Sequence, residues 1–533
     1  MYLKHGFGRA AAIAALMAGT APVAVMAETP ADTLVIADAI DDIVSIDPHE
    51  AFEFSGVDLN NNVYDTLIEL DPTRPGELVP GLAESWEVSE DGTTYTFKIK
   101  SGITFSSGNP LTAEDAAGSL RRVVKLNKTP AFILTQFGLT PENVDQMITF
   151  EGDTVTLKTD KAYAPSFVYN CLTAGVANIV DMKTVMANEV DGDMGNAWLK
   201  ANSAGTGAYV LKSFKPNEGY VLEARQGHWR GDAKIKNVFM QHVPEGATQR
   251  LLLEKGDIDI GRELTPTDIA GLEGNADIKV QSDVGGQIYY LALNQKKAEL
   301  ANPKVQEAMR WAVDYAGMTD SILKGQWVVH QAFLPQGFLG ALTETPYSLD
   351  LEKAKALMAE SGVTLPLEVK FTVRNNQERM DIATSLQNTF AQIGINLVLD
   401  VGDGAQGLAV YRGRQHEMTL QTWGPDYPDP HTNASTFASN PDNSDEANAT
   451  GYLAWRTAWD PGAEINAETD AAVVEKDTEK RKAMYEDLQV KVRDNSAFVF
   501  MFQQARQDAM RANVSGFYAG GATDSASYWT VTK

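Results

Sequence analysis

Apolar and polar positions follow two periods along this chain, and both recur from one end to the other. TLVIADAI (33–40) reads as a strand, as does TYTFKI (94–99), where Tyr95, Phe97 and Ile99 fall on one face at period two. Asp91-Gly92, just before the second run, is a strong turn signal. QIYYLALN (287–294) and AFVFMF (497–502) are longer apolar strands, well separated in sequence, that are candidates to cross between lobes as a pair. The helical period is as legible. Leu351, Ala354, Leu357 and Met358 form a stripe, with Asp350 as the N-cap and Gly362 as the stop. Ile382, Leu386, Phe390 and Ile393 form another that ends at Gly394, and NLVLDV then reads as a strand. This β-α-β rhythm from Leu367 to Val401 predicts a mixed α/β lobe.

Length and composition change the picture in three ways. A chain of 533 residues is expected to form two or three lobes. Its formal charge of −26 argues against nucleic acid or anionic lipid as a partner. The single cysteine, Cys171, lies in the apolar run FVYNCLTAGVANIV, which predicts a buried, inert thiol rather than a nucleophile.

The N-terminus carries Lys4 and Arg9 before an alanine-rich apolar run from Ala10 to Val25, followed by Val25-Met26-Ala27. That pattern is a Sec-type signal peptide over 1–27, so a mature start at Glu28 and export without a lipid anchor or membrane insertion are expected.

Catalytic signatures are missing. The sequence has no G-x-S-x-G, H-E-x-x-H, G-x-x-x-x-G-K-[ST] or paired C-x-x-C. GDGAQG (402–407) lacks the spacing of a dinucleotide turn and reads as a flexible surface loop. His416 and His431 flank residues 422–433, but two unspaced histidines are weak evidence for a transition-metal site, and solvent-facing or locally hydrogen-bonded histidines are expected. Neither a cofactor nor a metal is called for.

TWGPDYPDPHTN (422–433) is the stretch that asks for a function. Its three prolines exclude a regular helix or a central strand, yet it gathers a tryptophan, a tyrosine and the carboxylates Asp426 and Asp429. It is either a stiff connector or one wall of a binding site. A cation drawn out of water needs an opposite charge. A proline-braced loop would hold Asp426 in place before a ligand arrives, lowering the ordering cost. Trp423 and Tyr427 would add apolar contact and exclude water. The competing account is that Asp426 only caps a turn.

Several ordered blocks then resemble one family. LVPGLAESWEVSEDGTTYTFKIKSGITFSSGNPLTAEDAAGSL (78–120), SIDP (45–48), GTGAYVL (205–211), NPKVQEAMRWAVD (302–314) and DLEKAKALMAESG (350–362) are similar to segments of the periplasmic dipeptide- and oligopeptide-binding proteins of bacterial ABC importers, a group that includes nickel-complex and opine binders. The resemblance covers nearly the whole mature chain. It implies an α/β, two-lobed periplasmic binding protein of the large type II-like kind with an additional third domain. Lobe I would comprise 28–65, 203–290 and 500–533, the extra domain 66–202, and lobe III 291–499. The function implied is capture of a short peptide between the lobes and delivery to the membrane permease, without catalysis, by a periplasmic monomer.

The resemblance also assigns residues. In peptide binders of this family an aspartate after a tryptophan in the corresponding loop holds the peptide's α-ammonium, which falls here on Asp426, with Trp423 before it and Tyr427 after it. Arg374, in KFTVRNN, resembles the position of a carboxylate-binding arginine, a role that suits a planar fork. Arg412 and Arg414 are its rivals, though exposed surface charge accounts for both, and Arg310 reads as structural. HEAFEFSG (49–56) falls where lobe I offers extended backbone, to which a peptide adds as a strand, making Phe52 and Phe54 candidate pocket residues. An opine, an amino-acid conjugate or a nickel–chelator complex is the alternative cargo, and His416 or His431 would matter in the metal case. An exported hydrolase is the remaining alternative.

Overall fold

The computed structural model describes residues 29–71, 74, 76–521 and 526–533. The expected signal peptide lies outside the described residues.

An 11-stranded mixed sheet runs through the molecule. In spatial order it reads Ile395–Gly402, Leu367–Arg374, Met418–Trp423, Ile278–Leu293, Phe498–Arg511, Ile260–Gly261, Thr33–Asp38, Asn237–His242, Gly219–Ala224 and Tyr209–Lys215, with Trp327–Val329 branching from Phe498–Arg511. The two apolar runs singled out above are its centre. They lie antiparallel, from Ile278 opposite Arg511 to Ala292 opposite Phe498. Their register shifts between Val284 and Ile288, at Gly285-Gly286. The buried amide of Gln503 fills the gap by donating to the Gly285 carbonyl at 2.9 Å, and an unpaired carbonyl there would be costly. One half of the pair faces Met418–Trp423 and the other adjoins Ile260–Gly261, so the same two strands serve both ends of the sheet.

The β-α-β unit forms as the pattern predicts. Leu367–Arg374 and Ile395–Gly402 pair in parallel, joined by the helix Gln377–Gln392, which buries Ile382, Leu386 and Phe390. Gly394 stops it with φ +83°, a conformation that favours glycine. The helix Leu351–Glu360 is capped by Asp350, whose carboxylate accepts from the Lys353 N–H. A separate four-stranded antiparallel sheet contains Ala83–Val88, Thr94–Ile99, Ile148–Glu151 and Thr154–Lys158. Tyr95, Phe97 and Ile99 point into its core, and Gly92 makes the turn at φ +76°.

The helix Ala113–Leu126 covers that core. Thr112 and Asp115 form a capping box at its start. It carries Arg122, fully buried, which pairs with Asp47 at 2.6 Å and so fixes the SIDP segment to this sheet. Cys171 is buried in the same core, as expected, and burial pushes its thiol well above the ordinary range.

Two local expectations are corrected. Residues 402–407 do not form a flexible loop: Asp403 caps Gln406 N at 2.8 Å and the chain continues as the helix Gly404–Arg412. The extended backbone expected at 49–56 forms only in part. The Glu50 and Ala51 N–H groups turn back to the Asp47 carbonyl, Glu53 is extended as an N-cap, and Phe54 opens the helix Phe54–Val63.

Candidate functional site

The strand Met418–Trp423 delivers Trp423 to the edge of the central strand pair, opposite Ile288. The chain then enters the proline-braced loop and leaves it as the helix His431–Phe437. Asp429 holds the exit. Its two oxygens take Arg481 at 2.8 and 2.7 Å, both side chains buried, and it accepts the His431 N–H at 2.9 Å. Asp426 is anchored only through its backbone, which donates to Thr432 Oγ1 at 3.0 Å. Its carboxylate accepts no hydrogen bond and meets no cation among the described residues. Of the two acids in the loop, one is structural and the other is left free.

Asp426 lines a cavity of about 360 Å³. Burial alone pushes its carboxyl up to about 7, because nothing nearby compensates the charge. Trp423, Tyr427, Phe52 and Phe54 line the same cavity, so five of the six expected site residues come together. Their exposures differ. Tyr427 is 2% exposed and packs edge-on against Phe167, ring centroids 5.9 Å apart. Phe54 is 45% exposed, and its ring rests on Gly424: a Cβ at that glycine would come within 2.9 Å of Phe54 Cζ.

Arg374 is the sixth, and it stands elsewhere. It is exposed and lines a neighbouring polar cavity of about 600 Å³ together with Glu378, Arg379 and Glu263. The two cavities share Phe54, Gln287 and Thr422 in their walls.

The other arginines divide. Arg412 is exposed, as expected. Arg414 is not a surface charge: it is 6% exposed, donates to the Asn443 carbonyl at 3.0 Å and pairs with Asp445 at 2.9 Å. Arg310 is buried and donates to the carbonyls of Ser496 and Phe498, a structural role. Of the histidines, His431 is hydrogen-bonded, to Tyr485, while His416 departs from expectation by being inside and without a hydrogen bond among the described residues. His416 is 3% exposed, edge-on to Tyr411, and burial pushes it down to about 3. His431 is partly buried against Phe167 and Tyr485. Among the described residues no cluster of three or more His, Cys, Asp or Glu is arranged to hold a metal.

Sequence reasoning missed much of the remaining lining. Asp65, Glu69, Arg230, Gln287 and Trp529 all line the Asp426 cavity. Arg230 binds Asp65 at 2.5 Å and is also paired with Glu69. Glu69 is pushed up to about 8, first by burial and further by Asp65, with Arg230 acting the other way. Glu69 sits inside the apolar run TLIEL and Arg230 beside Trp229 in GHWRG, and charges in such company were the available signal.

A family model described as bacterial extracellular solute-binding proteins, family 5 (middle), matches residues 77–445. The chain belongs to this family. Members bind solute and do not transform it, and the chain is a solute-binding component of an ABC importer. Among curated relatives, the probable D,D-dipeptide-binding periplasmic protein DdpA of Escherichia coli K12 is 27% identical over 511 residues, 95% of either chain. The nickel-binding periplasmic protein of the same organism is 28% identical, over 82% of this chain and 83% of that one. The solved structure of DppA from Helicobacter pylori in complex with peptide STSA superposes with a TM-score of 0.79 at 22% identity, covering 94% of this chain and 98% of that one. The fold is thus the α/β two-lobed type II periplasmic binding fold. Family relatives named for peptides and for nickel show that family membership leaves the solute open.

Proposed function

We propose that this protein captures a small amine-bearing solute, with a short peptide as the leading case, and presents it to the permease of an ABC importer from the periplasm. The observation that carries the reading is Asp426: a carboxylate on a braced loop, facing a cavity and without a partner among the described residues. Such a group is unstable alone and is satisfied by a guest ammonium. Trp423, Tyr427, Phe52 and Phe54 surround it with apolar surface that strengthens the pairing by excluding water. The lobe division at 28–65, 203–290 and 500–533, 66–202 and 291–499 belongs to the same proposal. Ile278–Leu293 and Phe498–Arg511 then act as the hinge, with closure burying the solute.

Mass spectrometry of solute released by denaturing the purified protein tests this reading. An amine of a few hundred daltons or less is expected, a size set by a cavity of this class. A retained solute that carries no amine contradicts it.

A further inference from the structure

The rest of the cavity lining bears on what else the cargo carries. Among the described residues lining the cavity, three are carboxylates, Asp65, Glu69 and Asp426, and one is a cation, Arg230. That cation is committed. It pairs with both Asp65 and Glu69, and its guanidinium lies 4.8 Å from the Trp229 ring and 5.4 Å from that of Trp529. Lys100 Nζ lies over the Trp229 ring at 4.2 Å and donates to the Pro80 and Gly81 carbonyls without joining the lining. A zwitterionic dipeptide held by its ammonium at Asp426 brings a carboxylate into a compartment whose described lining offers it no unpaired cation, since Arg230 is already taken by Asp65 and Glu69. Arg374 is in the adjoining cavity, and the Phe54 ring seated on Gly424 belongs to the wall they share.

Resting on the reading of Asp426 above, we propose that this cavity selects cationic amines over zwitterions: its cargo is an amine without a free carboxylate in that compartment, such as an amide-terminated peptide or a simple organic amine. A carboxylate taken out of water without a cation to compensate it weakens binding, and this is how a site rejects a near-isosteric competitor. Burial raises Glu69 above the ordinary carboxylate range, so an added positive charge that favours its ionised form is the kind of guest this lining stabilises.

Titration calorimetry at pH 7 on the mature chain, with leucyl-leucine amide and leucyl-leucine as probes, tests the proposal. The amide is expected to bind about tenfold tighter or more, a difference of about 1.4 kcal/mol upward. Equal affinities, tighter binding of the free acid, or no binding of the amide overturns it. Free-acid binding that is lost in Arg374→Gln would show why, by placing the carboxylate in the outer cavity. Asp426→Asn is read separately. If that variant keeps its affinity for the amide while the parent protein still prefers amide to acid, the ammonium site fails and the charge selection stands.

Discussion

Two aspartates three positions apart in one loop have opposite fates, and the difference is one of partners. Asp429 has Arg481, while the Asp426 carboxylate has no partner among the described residues and faces the cavity. Asp426→Ala is therefore expected to weaken binding of a free-amine peptide by about 3–5 kcal/mol, or roughly two to four decades in Kd by calorimetry. The pH dependence has a definite sign. In the empty cavity the Asp426 carboxyl lies at about 7, and an ammonium beside it lowers it. Binding thus expels a proton, and affinity rises with pH until the carboxyl is already ionised, at about pH 8. Calorimetry in two buffers of different ionisation heat reads the released proton directly. Without ligand the same group acts against the fold. Raised above its ordinary value of 3.8, it favours the folded state fully at low pH and loses that contribution as pH rises through about 7. Asp426→Asn is expected to raise the Tm of the ligand-free protein more at pH 8 than at pH 5.

At the scale of elements, the braced loop depends on its structural acid. Asp429→Ala leaves Arg481 buried beside Tyr485 without its carboxylate, so a loss of about 3–5 kcal/mol in denaturant unfolding is expected. An unchanged midpoint would show that the loop is held by its prolines alone. What was legible here followed periodicity. Tyr95, Phe97 and Ile99, the Asp350-capped helix and the unit from Leu367 to Val401 are fixed by apolar spacing and caps, which are local properties. Charge partnership is not local. Arg414 reads as surface charge until Asn443 and Asp445 close over it from some 30 residues away. The helix at Gly404–Arg412 was hidden because two glycines suggest a loop, and its Asp403 cap outweighed them. Phe54 lines the cavity from the start of a helix and not from extended backbone, since that helix is set by packing against the rest of the domain.

For the whole molecule, the proposed lobe division makes the central pair of strands the element that would couple binding to shape. Ile278–Leu293 and Phe498–Arg511 run through both halves of the sheet, and their register break at Gly285-Gly286 is the natural place for bending. Small-angle scattering is expected to show a smaller radius of gyration once an amine solute is added, and no change in Asp426→Ala at the same concentration. The long-range pairing of these strands was legible as two matched apolar runs. The division of the cleft into two cavities at Phe54 and Gly424 was not, because it depends on a ring meeting a bare Cα across more than 300 residues. The most direct measurement of the central claim compares one short peptide with its N-acetylated form by titration calorimetry. Loss of two to four decades in affinity on acetylation, roughly the worth of a buried charge pair, is the result expected if Asp426 receives the ammonium. Equal affinity for the two forms would contradict it.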